Sequence, residues 1–408
     1  MSYLSITPFF DFARMKLTNQ HVHSASQTAQ ITLEPDRRYR PLCHHCGQRA
    51  ATVHSQGHHR FVRDLNLADT QVWLDIQYRK VWCSGCHGAR VEQLSFCTAG
   101  KRVTDRLARY IYYLCQKLTV KEVAEHLDLD PKTIKEIDKT LLQQEFGATD
   151  YQDLRVLAID EIALHKGHRY MTVVLDYLSG RVVWMGEGRD SQALDAFFEG
   201  MTDEKKAAIE AVAMDMWEAY INRVQHHCPQ ARIVFDFFHV VQSFSRVIDE
   251  IRREEYRRAE AQERQILKGS RYLLLKNEEN LTEGQRDRLE EILALNATLN
   301  TVYVLKDQLK LLYYYSDRRK VQHALEDWCA MAETVHHPSL RQFVKRLRFF
   351  DYGILNHADY PIGTSRLEGV NNKIKLIKRK AYGFHDSEYF VLKVKQAFTG
   401  NNSTNFFG

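Results

Sequence analysis

The stretch LRVLAIDEIALHKGHRYMTVVLDYLSGRVVWMGEG, residues 154–188, contains three consecutive runs of apolar and β-branched residues. The dipeptide Ser179-Gly180 separates the second run from the third and is typical of a tight turn. Two helix–strand units follow, with strand patterns in IEAVAMD (209–215) and ARIVFD (231–236). Three antiparallel strands followed by two helix–strand units predict a mixed α/β sheet covered by helices.

The composition is that of an ordinary soluble chain of two to four domains, with 408 residues, 44% apolar and 27% charged. No apolar run approaches the length that spans a bilayer, and the N-terminal segment lacks the basic region of a signal peptide. We therefore expect a cytoplasmic protein without membrane contact.

The segment Lys345–Lys395 carries eleven Lys/Arg and five Asp/Glu, an excess of +6 against +5 for the whole chain. This concentration favours a polyanion-binding surface, although a solvated helix face explains any single lysine.

Four of the eight cysteines form two C-x-x-C pairs, Cys43 with Cys46 and Cys83 with Cys86. Two such turns supply the four sulfur ligands that Zn²⁺ prefers, so we predict one structural Zn²⁺. The 36 residues between the pairs can hold a strand hairpin, as in a zinc ribbon. Less favoured alternative ligands are His44, His45 and His87. The other cysteines are interpreted as buried thiols, and they are Cys97, Cys115, Cys228 and Cys329.

The segment TVKEVAEHLDLDPKTIKEIDKTLL, residues 119–142, has the layout of a helix-turn-helix. Pro131 suits the first position of a second helix. Lys132, Thr133 and Lys135 would then lie near the N-terminus of that helix, where recognition helices meet DNA base edges. A plain helical hairpin is nearly as good an explanation of this segment alone, and the neighbouring cysteine pairs and basic C-terminal segment favour DNA.

Three aspartates close apolar strand patterns, namely Asp160, Asp215 and Asp236. Functional groups collect at strand ends because the loops there admit substrate. Carboxylates from several strands can hold Mg²⁺, with waters and substrate phosphates completing the coordination. The alternative, a turn former or helix N-cap, is about equally good for any one of them. Glu161 and Asp176 are weaker candidates.

The C-terminal stretch TSRLEGVNNKIKLIKRKAYG, residues 364–383, predicts a basic amphipathic helix. Ser365 and Glu368 have the S-x-x-E spacing of a capping box. In a helix the side chains of Asn372, Lys375 and Arg379 lie within about 40° of Glu368, and an apolar face lies opposite. That polar stripe suits DNA phosphates. Glu368 is therefore either a structural cap or a carboxylate placed where phosphates arrive.

Paired C-x-x-C motifs, a helix-turn-helix and then Asp160, Asp215 and Glu368 in this order resemble the bacterial insertion-sequence DDE transposases of the ISL-three family. The stretches KGSRYLLLKNEENLT (268–282) and EGVNNKIKLIKRKAYGF (368–384) are similar to that family's. The resemblance implies an RNase H-like catalytic domain, interrupted by an all-helical insertion, that binds two Mg²⁺ or Mn²⁺.

The same resemblance implies the roles of the site residues. Asp160, on the first strand, Asp215, on the fourth, and Glu368, on a late helix, would be the catalytic metal ligands. The segment DFFH resembles a D-x-x-H signature that would place Asp236 and His239 beside the active site. This moves the interpretation of Glu368 from cap to catalytic residue, while Ser365 can still cap the helix.

The predicted multidomain α/β chain divides into six parts. These are a leader (1–37), a zinc-ribbon DNA-binding module (38–98), a helix-turn-helix domain (101–146), the first part of the catalytic core (150–245), a helical insertion (246–350) and the C-terminal part of the core (351–408).

The resemblance implies binding of terminal inverted repeats, cleavage at the element ends and joining of the 3′-OH to target DNA. The partners are double-stranded DNA and a second copy on paired ends, and the enzyme is expected on the nucleoid. Two rival functions stay open: a non-catalytic zinc and helix-turn-helix regulator, and a structure-specific nuclease. Trp328 is interpreted as buried, with stacking on a flipped base as the alternative.

Overall fold

The computed structural model describes residues 12–98, 100–165, 169–188, 191–362, 365–381 and 383–400. The chain divides into two units, Met1–Glu145 and Phe146–Gly408. None of the helices in these described ranges combines the length and apolarity needed to cross a membrane.

A five-stranded sheet occupies the first part of unit 1. Its order is β1-β2-β4-β3, and β5 pairs with one end of β4. The β2–β4 pairing is parallel and the others are antiparallel. The strands are β1 (Met15–His23), β2 (Thr28–Pro35), β3 (Thr52–Arg63), β4 (Gln71–Cys83) and β5 (Gly88–Val91).

The segment assigned from sequence to a leader, 1–37, contributes two strands to this sheet. In β2, Ile31 and Leu33 are buried, and they stand opposite Leu74 and Ile76 of β4. Strand β1 is exposed over most of its length, which explains why its polar sequence did not predict a strand. Residues 1–11 lie outside the described residues.

Three helices close unit 1: α1 (Asp105–Lys117), α2 (Val120–Leu127) and α3 (Pro131–Phe146). Helix α2 starts with a capping box between Thr119 and Glu122 and ends at Asp128, whose left-handed backbone turns the chain. Asp130 then accepts hydrogen bonds from the first backbone N–H groups of α3. The buried side chains between the helices include Leu107, Ile111, Val123, Leu127, Ile134 and Ile137.

The sheet of unit 2 has the order β10-β9-β6-β7-β8. Strands β6, β7 and β8 form an antiparallel meander, and β9 and β10 run parallel to β6. The predicted mixed sheet is thus confirmed. The strands are β6 (Val156–His165), β7 (Arg169–Asp176), β8 (Val182–Glu187), β9 (Ala211–Met214) and β10 (Arg232–Phe235).

Helices cover both faces of this sheet, since side chains of alternate residues enter different apolar clusters. Leu157 and Ile159 of β6 belong to a large cluster that extends into the helical segment after β10. Val156, Ala158 and Ile162 belong to a second cluster, shared with two C-terminal helices.

Thirteen α-helices are described in unit 2. The early ones are α4 (Ser191–Glu199), α5 (Asp203–Ala207), α6 (Glu218–His227), α7 (Phe237–Arg258), α8 (Ala261–Leu267) and α9 (Arg271–Leu275). The later helices are α10 (Glu283–Leu295), α11 (Ala297–Leu311), α12 (Arg318–Thr334), α13 (Pro338–Phe349), α14 (Asp351–Asp359), α15 (Ser365–Lys380) and α16 (Ser387–Ala397).

Helix α14 packs closely against the edge strand β10. Gly353 lies against the ring of Phe235, and a Cβ atom at this glycine would be 2.1 Å from the ring. The Asn356 side chain donates a hydrogen bond to the backbone oxygen of Ile233 at 2.8 Å. The edge strand is therefore covered by a helix that also satisfies one of its backbone acceptors.

The core contains several residues whose burial was predicted. Trp328 is 2% exposed, and its indole N–H donates to the backbone oxygen of Leu305 at 2.8 Å. This excludes base stacking by Trp328 in this conformation. The four cysteines outside the C-x-x-C pairs are all buried, as expected for core thiols: Cys97, Cys115, Cys228 and Cys329.

Candidate active site and cysteine cluster

The four paired cysteines converge at the C-terminal end of β4 and the adjoining turns. Their sulfur atoms all lie within 4.8 Å of one another. The Cys43 and Cys86 sulfurs are 3.9 Å apart, and those of Cys46 and Cys83 are 3.5 Å apart. Tetrahedral Zn²⁺ with Zn–S bonds of about 2.3 Å has S–S separations of about 3.8 Å. The cluster therefore has the size and the donor chemistry of a zinc site.

Local geometry explains this convergence. Gly47 has a φ of 72° and donates its N–H to the Cys43 backbone oxygen at 2.9 Å, which closes the first turn. Burial raises the pKa of the Cys43 thiol, but the backbone N–H groups of Cys46 and His45 outweigh this effect and bring the pKa to about 6. The thiolate is the metal-binding form of cysteine. His44 instead contacts the backbone oxygen of Val91 through Nδ1 at 3.0 Å.

The start of α3 presents the residues predicted to meet DNA. The Lys132 side chain is exposed, and those of Thr133 and Lys135 are half-buried. Asp130 fixes the backbone of this turn because it accepts from the N–H groups of Lys132 and Thr133 at 2.9 and 3.2 Å.

Asp160 lies inside strand β6 and does not end it, contrary to the sequence interpretation. The strand continues to His165 because β7 stays paired with it, with Asp160 opposite Val173. The parallel pairing with β9 covers only Val156–Ala158. Asp160 therefore lies beyond the end of the β6–β9 pairing, where β7 is still paired with β6. Its alternation with Ala158 and Ile162 directs it to the sheet face that α15 covers.

Asp215 and Asp236 follow β9 and β10 directly. Asp215 accepts the N–H of Met216 at 2.6 Å and keeps a half-exposed side chain. Asp236 is 7% exposed and is the N-cap of α7, since it accepts the N–H of Phe238 at 2.7 Å. Burial raises the pKa of Asp236 to about 6. The alternative role left open by the sequence, a helix cap, thus applies to Asp236.

His239 lies between the first two predicted catalytic carboxylates. Its Nε2 atom is 4.0 Å from an Asp160 oxygen, and its Nδ1 atom is 3.8 Å from an Asp215 oxygen. The first turn of α7, capped by Asp236, holds the imidazole at this point. Residues from β6, β9 and α7 therefore meet at one place.

Helix α15 supplies Glu368 with an exposed side chain. In the described part of the chain, the carboxylate oxygens of Asp160, Asp215 and Glu368 do not converge within 4.8 Å of one another as the cysteine sulfurs do. Arg366 fixes the start of α15 by donating to the backbone oxygens of Tyr177 and Leu178 at the β7–β8 turn. The Ser365 side chain, predicted as a cap, lies outside the described residues.

The apolar and polar faces of α15 follow the predicted pattern. Val370 and Ile374 are buried in the cluster shared with the sheet. Asn372, Lys375 and Arg379 are exposed. The side chains predicted to follow DNA phosphates are thus accessible to solvent.

Comparisons with known proteins identify the family of the chain. A family described as "Transposase", the DDE transposases of ISL3 type, matches residues 157–394. The helix-turn-helix domain of transposase family ISL3 matches residues 92–142. The chain is 42% identical over 378 residues to the transposase for insertion sequence element IS1001 of Bordetella parapertussis, covering 92% of this chain and 93% of that protein.

The chain belongs to the ISL3 family of transposases. A more distant relative is the transposase for insertion sequence element IS1557 of Mycobacterium tuberculosis, in strains CDC 1551 / Oshkosh and H37Rv. It is 27% identical over 386 residues, covering 89% of this chain and 86% of the relative. The helix-turn-helix prediction is confirmed, and family membership implies a metal-dependent DNA-cleaving enzyme.

Two residues of this transposase contact the site without having been predicted. Asn371 donates from its side-chain amide to Asp160, whereas the sequence had indicated Asn372. Arg346, on α13, donates to the backbone oxygen of Met216 at 2.7 Å. A helical wheel does not decide which of the two asparagines faces the site, since Asn371 and Asn372 lie about 60° and 40° from Glu368. No signal in the sequence singles out Arg346.

Proposed function

We propose that this transposase binds the terminal inverted repeats of an insertion sequence, cleaves DNA at the element ends and joins the freed 3′-OH to target DNA. One observation carries the proposal. Asp160 and Asp215, from separate strands, flank His239 within 4.0 Å, and the adjacent helix α15 exposes basic residues to solvent. Acidic groups for metal binding and basic groups for phosphate binding thereby share one region.

The sheet order supports an RNase H-like assignment for the catalytic unit. An antiparallel meander of β6, β7 and β8 is extended by two parallel strands on the β6 side. We propose that the helical segment 246–350 is an insertion into that core, because β10 and α15 both belong to the layers of the sheet while the segment adds helices to one face.

The proposed catalytic residues are Asp160, Asp215 and Glu368, which would hold two Mg²⁺ or Mn²⁺ ions. The donor set fits, because carboxylate oxygens are what these ions prefer and the oxygens of Asp215 and Glu368 are accessible. When bound, such ions polarise the phosphoryl group and stabilise the attacking and leaving oxygens. Glu368 has to approach the two aspartates to complete the site. Helix α15 already lies close to the first aspartate, because its residue Asn371 donates a hydrogen bond to Asp160.

The residues around the carboxylates have supporting roles. Asp236 caps α7 and so fixes the position of His239. The His239 imidazole can donate to either aspartate as they reorient, given its 3.8–4.0 Å separations.

DNA would contact two surfaces of the chain, one in each unit. In unit 1, Lys132, Thr133 and Lys135 at the start of α3 are proposed to read the terminal repeats. In unit 2, Asn372, Lys375 and Arg379 are proposed to contact phosphates. The cysteine cluster is proposed to hold one structural Zn²⁺ that fixes the turns around β4 and β5. The enzyme would act as a homodimer on paired ends, in the bacterial cytoplasm on the nucleoid.

A strand-transfer assay with labelled element ends tests this proposal. Wild type is expected to nick and join the ends when Mg²⁺ or Mn²⁺ is added, whereas Asp160→Ala and Glu368→Gln should bind the ends and produce no joined product. Gln preserves helix-capping ability almost as well as Glu. Unchanged joining by Glu368→Gln would therefore refute its catalytic role. Metal-dependent cleavage retained by Asp160→Ala would refute the proposed site as a whole.

A further inference from the structure

The contact between Asn371 and Asp160 places a neutral amide directly on the first proposed catalytic carboxylate. Asn371 donates from Nδ2 to one Asp160 oxygen, and the N–H of Glu161 donates to the other at 2.7 Å. The rotation of α15 is fixed by burial of Val370 and Ile374. Position 371 is thereby held against β6, three residues after Glu368 and on the same side of the helix.

The other end of the Asn371 amide is unsatisfied. Its Oδ1 atom is buried and has no hydrogen-bond partner among the described residues. A buried acceptor without a partner costs about 1–3 kcal/mol, so such atoms are uncommon. Rotating the amide by half a turn exchanges its two ends and brings Oδ1 to the side of Asp160. What faces Asp160 therefore decides which orientation is favoured.

From this geometry we propose that Asn371 is an additional ligand of the cation held by Asp160. Without a cation, the amide N–H faces the carboxylate, as in this structure. With a divalent cation between them, the amide turns and presents its oxygen beside the Asp160 oxygen. Amide carbonyls and carboxylates are both suitable oxygen ligands for such ions, and a cation between two facing acceptors offsets their mutual repulsion. This inference rests on the proposed function, because it assumes that Asp160 holds a metal ion.

A titration of the full chain with Mn²⁺ in the absence of DNA tests the assignment. The EPR signal of free Mn²⁺ measures how much of the ion is bound. The thiolate cluster favours zinc over Mn²⁺, so Mn²⁺ reports on the carboxylates. Asn371→Leu removes the amide at similar volume and should weaken Mn²⁺ binding by about tenfold or more. Asn371→Asp restores an oxygen ligand and should return the affinity to the wild-type range or above it. The matched control Asn300→Leu, at an exposed position of α11 with no assigned role, should leave the affinity unchanged.

The outcomes separate the two levels of the argument. Asp160→Asn serves as the reference variant and should weaken Mn²⁺ binding at least as much as Asn371→Leu. If Asp160→Asn weakens binding but Asn371→Leu does not, Asn371 only tethers α15 and the inference is overturned. If neither variant changes the affinity, Asp160 is not a metal ligand, and the proposed function fails with the inference. A lower melting temperature with unchanged Mn²⁺ affinity also counts against it.

Discussion

Replacing Gly353 by Ala tests whether the packing of α14 on β10 holds the active site in place. A Cβ atom at this position would lie 2.1 Å from Cδ2 of the Phe235 ring. Phe235 is 1% exposed and packs against the rings of Phe350 and Tyr352 at 5.4 and 5.5 Å, so it has little room to move. Reaching the 3.4 Å of ordinary contact requires a separation of about 1.3 Å between helix and strand.

Two opposing contributions set the size of the effect. Overpacking a core contact costs about 1–3 kcal/mol, and Gly→Ala inside a helix gains up to about 1 kcal/mol. We expect a net loss of about 1–2 kcal/mol in the free energy of unfolding. Phe235 immediately precedes Asp236, and a displacement of about 1 Å can cost about 10²-fold in rate. The cleavage rate should therefore fall more than stability alone predicts.

Urea unfolding and end cleavage measured on the same samples provide the assay. Gly284→Ala, in α10, is the matched control because no atom lies within 4 Å of the Cβ it would add. That variant should be as stable as wild type or slightly more stable, with unchanged cleavage. If Gly353→Ala matches Gly284→Ala in both measurements, α14 does not constrain β10 and the reasoning is wrong.

Two further predictions concern the cysteine cluster and a buried lysine. Cys83→Ser should lower bound zinc well below one ion per chain by elemental analysis, whereas Cys115→Ser, outside the cluster, should retain it. Lys306 is buried and donates to the backbone oxygens of Leu274 and Lys276, and burial lowers its pKa to about 8. A charged Lys306 is therefore disfavoured in the folded state, so stability should rise as the pH increases from below 8 towards 10.5. Lys306→Met should remove that rise in urea titrations at several pH values, and an identical rise in the variant would contradict the assignment.

Features determined by local patterns were predictable from the sequence. Alternating and β-branched runs gave the strands of unit 2, and paired cysteines gave the cluster whose sulfur atoms converge. The turn before Pro131 is encoded within a few residues, which is why the helix-turn-helix could be recognised, and the structure adds a capping pair, Thr119 and Glu122, that is equally local.

Features set by packing between distant segments were not predictable in the same way. Strand β2 is recognisable only because β4 pairs with it, and β1 only because β2 does. Asp160 stays within β6 because β7 continues beside it. The choice of Asn371 over Asn372 depends on how α15 is rotated over the sheet, which burial of Ile374 determines.

Two helices, α13 of the helical segment 246–350 and the following α14, are each connected to the catalytic region by one hydrogen bond. Arg346 of α13 donates to the backbone oxygen of Met216, the residue after Asp215. Asn356 of α14 donates to the backbone of β10, which ends directly before Asp236. Both contacts are made to backbone atoms, so they constrain where the strand ends lie whatever side chains those positions carry. Because these contacts hold the backbone beside Asp215 and Asp236, α13 and α14 are part of the structure that supports the site, and removing them would leave the ends of β9 and β10 without that support.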